Sequence, residues 1–218
     1  MNSVIILAGG NGSRANLDVP KQFIKINNSY IVDFSIRFFK KKQKITEIIL
    51  VAPEKWVDIL NKINTDIKVV AGGNSRMESS FIGLQNCSKK NDNVLIHDAA
   101  RPFVSDKIID DVINNLNYFD SVVPVISCND SILKIDRESF KYLDRDKIKY
   151  LQTPQGFKFD LLYEAYKNLI KSNTKFSDDL SLLKNFKSDI SCKFVDGDYS
   201  NFKITTKNDI ELAKILLK

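Results

Sequence analysis

Short runs of aliphatic and β-branched residues, each followed by an amphipathic stretch, recur along this chain and constrain its fold more than any other feature. The runs are Val4–Leu7, Ile48–Val51, Ile67–Val70, Val94–Ile96 and Val122–Val125. Between them lie Tyr30–Phe39, Lys55–Ile63, Arg76–Gln85 and Lys107–Leu116, which read as helices. Strands alternating with helices imply crossover connections. They predict an α/β fold with a mostly parallel twisted sheet and helices on both faces. The strands are nearly continuous in apolar character, as strands buried on both sides are.

After Val125 the rhythm breaks. Residues 127–150 are polar, with Ile132-Leu133-Lys134-Ile135 as a weak strand, and a segment this long without a core pattern reads as functional or as an interaction arm. Regular structure is expected to resume with a helix over Phe159–Lys171 and another over Ser177–Leu183, with Ser177 as its N-cap. Lys193–Val195 and Phe202–Thr205 look like strands, and Asn208–Leu217 like a closing helix. The expectation is one domain over residues 1–218 with an excursion at about 127–150.

Composition sets outer limits. With 218 residues and 43% hydrophobic content the chain has enough apolar surface for a sizeable core, which excludes a largely disordered chain or a stapled mini-protein. No apolar run approaches ~20 residues, so no membrane helix is expected. Met1-Asn2 leads straight into the first strand without the marks of a signal peptide. Cys87, Cys128 and Cys192 are scattered and match no metal spacing, which suits reduced thiols and a cytoplasmic location. The net charge of +6 comes largely from dispersed lysines, including Lys40, Lys41, Lys42 and Lys44, and reads as solvated surface. No nucleic-acid module accompanies it, so anionic small molecules are the better partners.

Three glycine or carboxylate motifs follow strands directly. Leu7-Ala8-Gly9-Gly10-Asn11-Gly12-Ser13-Arg14 suits a backbone that turns tightly and aims N–H groups at phosphate oxygens, with Arg14 as a forked cation. Gly10-x-Gly12-x-x-Ala15 matches the dinucleotide fingerprint formally. Pro20 interrupts the helix that should follow, however, and the second strand ends near Ala52, some 40 residues on instead of ~20. Lys21, in Pro20-Lys21-Gln22-Phe23, adds a second cation and points to a polyphosphate. Ile96-His97-Asp98-Ala99-Ala100-Arg101-Pro102 places a carboxylate at a strand's carboxyl end, a natural Mg²⁺ position. His97 reads as a satisfied core residue without chemistry. Ala71-Gly72-Gly73-Asn74-Ser75-Arg76-Met77-Glu78-Ser79 opens a helix, with Asn74 and Ser79 able to hydrogen-bond a base edge.

In their order these motifs, with Thr153-Pro154-Gln155, Ser177-Asp178-Asp179 and Asn201-Phe202-Lys203-Ile204-Thr205, resemble one family from Val4 to Ala213. The chain is similar to the cytidylyltransferases that make 4-diphosphocytidyl-2-C-methyl-D-erythritol, together with their relatives acting on ribitol 5-phosphate. The resemblance implies a Rossmann-like nucleotidyltransferase fold, with CTP across the carboxyl ends of the strands. It implies that Gly9, Gly10 and Gly12 cradle the triphosphate, that Ala8, Gly73, Asn74 and Ser79 read cytosine with Arg76 in the same turn, and that Ala99 lies beside the ribose. Asp98 matches the aspartate associated with Mg²⁺ (or Mn²⁺). Arg14, Lys21 and Lys203 match the cations around the reacting phosphates. Arg101, Thr153, Ser177 and Lys203 would meet the phosphopolyol, as would Arg145, on an arm that reaches a neighbouring subunit and implies a homodimer.

Departures bear on the acceptor. Ser177 stands where the methylerythritol enzymes commonly carry threonine, Ala15 replaces a usual methionine, and Asn28-Ser29 sits in a turn that is often Gly-Lys. Ala100, Ser79 and the Asp178-Asp179 pair resemble the methylerythritol branch, which is the expected acceptor, with ribitol 5-phosphate as the alternative. A nicotinamide-dependent dehydrogenase is disfavoured by the broken fingerprint. A non-catalytic binding protein is disfavoured by the presence of Arg14, Lys21, Asp98 and Lys203 together.

Overall fold

The computed structural model describes residues 1–9, 19–172 and 174–217. Strand β1 (Asn2–Leu7) is buried at every position after the first. Successive side chains of a strand point to opposite faces, and here both faces are covered. Val4, Ile6 and Ala8 join one apolar cluster, Ile5 and Leu7 another. β1 pairs in parallel with β4 (Glu47–Ala52) on one edge and with β6 (Asn93–Asp98) on the other. β5 (Lys68–Ala71) extends the sheet beyond β4.

The expected crossover helices are present as α1 (Ile31–Lys40), α2 (Glu54–Ile63), α3 (Arg76–Asn86) and α4 (Asp106–Asn115). Each starts where the local chemistry allows. Asp33, in the first turn of α1, accepts the Tyr30 N–H at 2.8 Å, Pro53 precedes α2, and the hydroxyls of Ser75 and Ser105 accept from the first turns of α3 and α4. Before α1, β2 (Lys25–Ile26) and β3 (Ser29–Tyr30) form a small hairpin. Its turn places Asn27 and Asn28 at φ 50° and 63°, a region asparagine tolerates better than most residues. The lysine run lies on the surface, where Lys40, Lys42 and Lys44 pair with Asp66, Asp106 and Asp110.

Beyond β6 the sheet changes direction. β7 (Ser121–Ser127) is separated from β6 by β11 (Gln155–Lys158), which runs antiparallel to both. β10 (Lys149–Leu151) continues antiparallel along β7, and β12 (Cys192–Asp196) covers its other side in parallel. The sheet order is thus β10-β7-β11-β6-β1-β4-β5 with β12 on β7. Residues 152–154, including a cis Thr153-Pro154 bond, join β10 to β11.

The excursion contains more order than its polarity predicts. β8 (Ile132–Asp136) and β9 (Ser139–Leu143) form a hairpin that pairs with no other strand among the described residues. Leu133 lies opposite Tyr142 and Ile135 opposite Phe140, so these four share one face. Ile135, Phe140 and Tyr142 are 71%, 67% and 67% exposed. Alternation with Lys134, Lys141 and Asp136 hides this apolar stripe in the segment's average polarity.

Helices α5 (Phe159–Leu169), α6 (Asp179–Phe186) and α7 (Lys207–Leu216) complete the chain. Two expectations are corrected. Asp178, not Ser177, caps α6: it stands immediately before the first helical residue, its carboxylate accepts the Ser181 N–H at 2.9 Å, and Ser181 Oγ accepts the Asp178 N–H at 3.2 Å in return. Phe202–Thr205 is not a strand. Its buried Ile204 donates one backbone bond to Ala100 O at 2.9 Å, and the segment is fixed by side chains, with Phe202 stacked on Phe103 at 5.1 Å.

Close packing of α3 on the sheet requires Gly83. A Cβ there would lie 2.5 Å from Ile5 Cγ2 and 3.2 Å from Val51 Cγ2. Gly83→Ala should therefore cost about 1–3 kcal/mol through overpacking. Urea denaturation would read this directly, and an unchanged midpoint would contradict it.

Candidate active site

The carboxyl ends of β1, β4, β5 and β6 meet at one edge, the usual position of ligands in open α/β sheets. The backbone ladder runs past the strands. Ala8 N donates to Val51 O at 2.7 Å, Ala99 N to Leu7 O at 3.0 Å and Gly72 N to Ala52 O at 2.8 Å. These bonds bring Ala8, Gly9, Gly73, Asn74, Asp98 and Ala99 to the same edge. Gly10, Gly12 and Arg14 lie outside the described residues.

Ser79, in the first turn of α3, faces both glycine segments. Its Oγ accepts the Gly73 N–H at 3.2 Å, and a Cβ on Gly9 or Gly72 would come within 3.3 or 2.8 Å of it. Glu78 Oε2 accepts the Asn74 N–H at 2.6 Å and holds the turn open. Gly73 and Asn74 stay exposed above the buried hydroxyl. On the other side, Gln22 Nε2 donates to Ala8 O at 2.5 Å, and Phe23 stacks on Trp56 with centroids 4.2 Å apart. The two contacts anchor Lys21, in the 3₁₀ turn Lys21–Phe23, beside the end of β1.

Asp98 is the electrostatic centre. Lys203 Nζ lies 2.7 Å from Oδ2, Arg101 Nε 3.9 Å from Oδ2 and Arg76 Nε 3.8 Å from Oδ1. Burial alone would raise the carboxyl's pKa, but Lys203, then Arg76 and Arg101, outweigh it and hold the group well below the usual carboxylate range. Arg76 also reaches Asp179, a fully buried carboxylate, at 2.7 Å. Burial opposes the Arg76 charge, yet Asp179 and Asp98 hold its pKa above the ordinary value. Tyr166 OH donates to Asp179 at 2.5 Å, and burial together with that carboxylate keeps the phenol protonated. In the sequence Asp179 stands in the Ser177-Asp178-Asp179 motif and in the pair that resembles the methylerythritol branch, with no site role of its own.

His97 occupies the position of a satisfied core residue. Arg101 O can only accept, so the ring nitrogen Nε2, 3.1 Å away, carries the proton. Nδ1, 3.2 Å from Thr153 Oγ1, then accepts the threonine hydroxyl, and that oxygen accepts the Asp98 N–H at 3.0 Å. The relay ties residues 152–154 to the end of β6. Asn201 adds a second tie, donating to Thr153 O at 3.0 Å, while Arg101 Nη1 donates to Asn201 O at 2.7 Å. Gln155 Nε2 reaches the Asp178 carboxylate at 2.8 Å. Arg101, Thr153, Lys203 and Asp98 are therefore brought together. Ser177 is exposed beside α6, with Oγ 3.4 Å from Ser181 Oγ. Arg145 lies apart on the excursion, where Nη1 donates to Asn129 O at 2.8 Å.

Among the described residues no group of three His, Cys, Asp or Glu side chains could hold a metal. One ionised carboxylate at a strand end suits a magnesium ion that takes its other ligands from phosphate and water. Asp98 fits that donor set. The surrounding cations, at three points around one carboxylate, suit a polyanionic ligand.

Burial pushes the pKa of His97, the chain's only histidine, down to about 4. The unfolded value is about 6.5, so between these values the unfolded chain binds the extra proton and stability falls as pH falls. Between pH 6.5 and 5 wild type should lose up to about 1.4 kcal/mol per unit, beyond any slope His97→Asn retains. Urea titrations of both proteins at several pH values would measure it. Equal slopes would contradict a buried neutral ring.

The profile of the family described as 2-C-methyl-D-erythritol 4-phosphate cytidylyltransferase matches residues 2–218. A protein of that name from Clostridium botulinum (strain 657) is 37% identical over 225 residues, spanning 100% of this chain and 97% of its own length. Another from Clostridioides difficile (strain 630) is 36% identical, spanning 100% and 94%. Among solved structures, the 4-diphosphocytidyl-2C-methyl-D-erythritol synthase of Anaerococcus prevotii matches with a TM-score of 0.88 at 31% identity, over 100% of this chain and 98% of that one. The 2-C-methyl-D-erythritol 4-phosphate cytidylyltransferase of Thermus thermophilus matches with a TM-score of 0.80 at 25% identity, over 98% and 97%.

Proposed function

The chain belongs to the 2-C-methyl-D-erythritol 4-phosphate cytidylyltransferase family, and we propose that it transfers CMP from CTP to 2-C-methyl-D-erythritol 4-phosphate. The products would be 4-diphosphocytidyl-2-C-methyl-D-erythritol, an isoprenoid precursor, and pyrophosphate. The observation that carries this reading is the full-length match, combined with the cluster of Arg76, Arg101 and Lys203 about Asp98. The relatives' names favour methylerythritol phosphate over ribitol 5-phosphate as acceptor. A pyrophosphate-release assay with CTP and a panel of polyol phosphates tests it. Turnover with ribitol 5-phosphate alone would overturn the choice of acceptor.

The chemistry asks for positioning and charge neutralisation. A phosphate oxygen of the acceptor attacks the α-phosphorus of CTP in line, the new P–O bond forms, and pyrophosphate leaves with the electron pair of the bond that breaks. The acceptor phosphate is ionised at neutral pH, so no strong general base is needed. The barrier lies in bringing two polyanions together and in stabilising charge on equatorial and leaving oxygens. In this reading Gly9, Gly10 and Gly12 hold the triphosphate, and Arg14, Lys21 and Lys203 neutralise the developing charge. Ala8, Gly73, Asn74 and Ser79 read the cytosine, Arg76 supports that turn, and Ala99 lies against the ribose.

At the acceptor end, Arg101 contributes charge from a guanidinium already fastened to Asn201 O, and Thr153 contributes a rigid wall through its bond to His97. Ser177 is exposed and available to a hydroxyl of the polyol. Mg²⁺ or Mn²⁺ held by Asp98 and phosphate oxygens would neutralise the triphosphate and the leaving group. The exposed apolar face of the β8–β9 hairpin supports a homodimer in which the arms cross and carry Arg145 to the partner's acceptor site. No helix of the described residues is long and apolar enough to cross a membrane, and the same reading places the enzyme in the cytoplasm.

Lys21→Ala should lower kcat by roughly 10²-fold or more with little effect on CTP affinity, because a cation helps most where transition-state charge develops. Steady-state kinetics with unchanged kcat would reject its role. Arg145→Ala should raise KM for the phosphopolyol and leave CTP affinity nearly intact. Mixed with Lys21→Ala subunits, it should also recover activity. With crossed arms one site of the heterodimer carries both lesions and the other neither. No recovery, with the heterodimer verified by native mass spectrometry, would reject the arm exchange.

A further inference from the structure

Among the described residues Asp98 is the carboxylate that Arg76, Arg101 and Lys203 all approach. Lys203 Nζ bonds Oδ2 at 2.7 Å, Arg101 Nε approaches the same oxygen at 3.9 Å, and Arg76 Nε approaches Oδ1 at 3.8 Å. The second carboxylate nearby, Asp179, is fully buried and committed to Arg76 and the Tyr166 hydroxyl. No further acidic group joins Asp98 to make a three-ligand cluster among the described residues. A bare divalent cation would therefore meet one carboxylate, already bonded to an ammonium, inside a ring of positive charge. Magnesium gives up water reluctantly and binds poorly to a single carboxylate.

The nucleotide complex of the same metal meets a different situation. It is still an anion, so the three cations attract it, and its phosphate oxygens offer Lys203 an alternative partner. Lys203 is suited to such an exchange. Its backbone is fixed between stacked Phe202 and buried Ile204, while its flexible stem ends in a partly exposed ammonium. We propose that Lys203 keeps Asp98 closed to free divalent cations, so that metal enters this site only as its nucleotide complex. The same ammonium then moves from carboxylate to phosphate as the complex docks. The proposal rests on the reading of Asp98 as the metal's carboxylate. Arg76 and Arg101 cannot substitute for Lys203, because Arg76 is held by Asp179 and Arg101 by Asn201 O.

Mn²⁺ binding, read as loss of the EPR signal of the free hydrated ion, tests this without turnover. Wild type should leave Mn²⁺ free until CTP is added. Lys203→Met should bind Mn²⁺ without CTP roughly tenfold or more tightly than wild type, and adding Asp98→Asn should abolish the gain. Lys203→Gln, which keeps a polar side chain at the same place, should behave likewise and guards against a misfolded methionine variant, with circular dichroism confirming the fold of each. Wild type that binds Mn²⁺ without CTP as tightly as either variant would overturn the proposal. In the presence of CTP, Asp98→Asn should weaken Mn²⁺ retention on the protein. If it does and the Lys203 variants gain nothing, the proposal alone fails. If it does not, the metal reading of Asp98 fails and the proposal falls with it.

Discussion

β1 is hydrogen-bonded on both edges and covered on both faces, and the rest of the molecule is arranged around that confinement. A strand so enclosed can present functional groups only at its ends. Its register with β4 and β6 brings Leu7 level with Val51 and Asp98, so three chain segments turn outward at the same height. Backbone bonds from Ala8, Gly72 and Ala99 carry the sheet one residue further and leave no slack in the turns. The position of the site is thus a result of sheet register, fixed before any functional side chain is considered.

On that scaffold the charged groups are held unequally, and the inequality is useful. Arg76 and Arg101 are committed to Asp179 and to backbone carbonyls, contributing charge without freedom. Lys203 is a point charge on a flexible stem whose backbone is anchored. A site that must hold a triphosphate and then accommodate a changing distribution of charge needs both kinds. The buried relay from Asp98 N–H through Thr153 to His97 makes the end of β6 rigid. Burial of the ring, against which these hydrogen bonds act, is what keeps the one histidine of the chain from titrating near neutral pH although it adjoins Asp98.

Much of this was legible in the sequence, for definite reasons. The parallel strands announce themselves because burial on both faces leaves no room for polar alternation. The glycine turns and the Asp98 motif are legible because each directly follows such a strand. β11 escaped notice because Gln155 and Gly156 are not strand-like by type. Gln155 is accepted inside the sheet only because Asp178 and the Leu180 N–H satisfy its amide. Phe202–Thr205 misled in the opposite sense, since alternating apolar residues there serve a small satellite core instead of a ladder. The Arg76–Asp179 pair joins residues about a hundred positions apart, and no local pattern carries that information.

The stacking of Phe23 on Trp56 has an optical consequence. Trp56 is the only tryptophan in the chain, and its indole lies against the ring two residues from Lys21. Emission excited at the red edge of protein absorbance therefore originates from a single place, beside the 3₁₀ turn that holds Lys21. Any change in the surroundings of that one indole is thus readable in the intact protein with no label and no turnover.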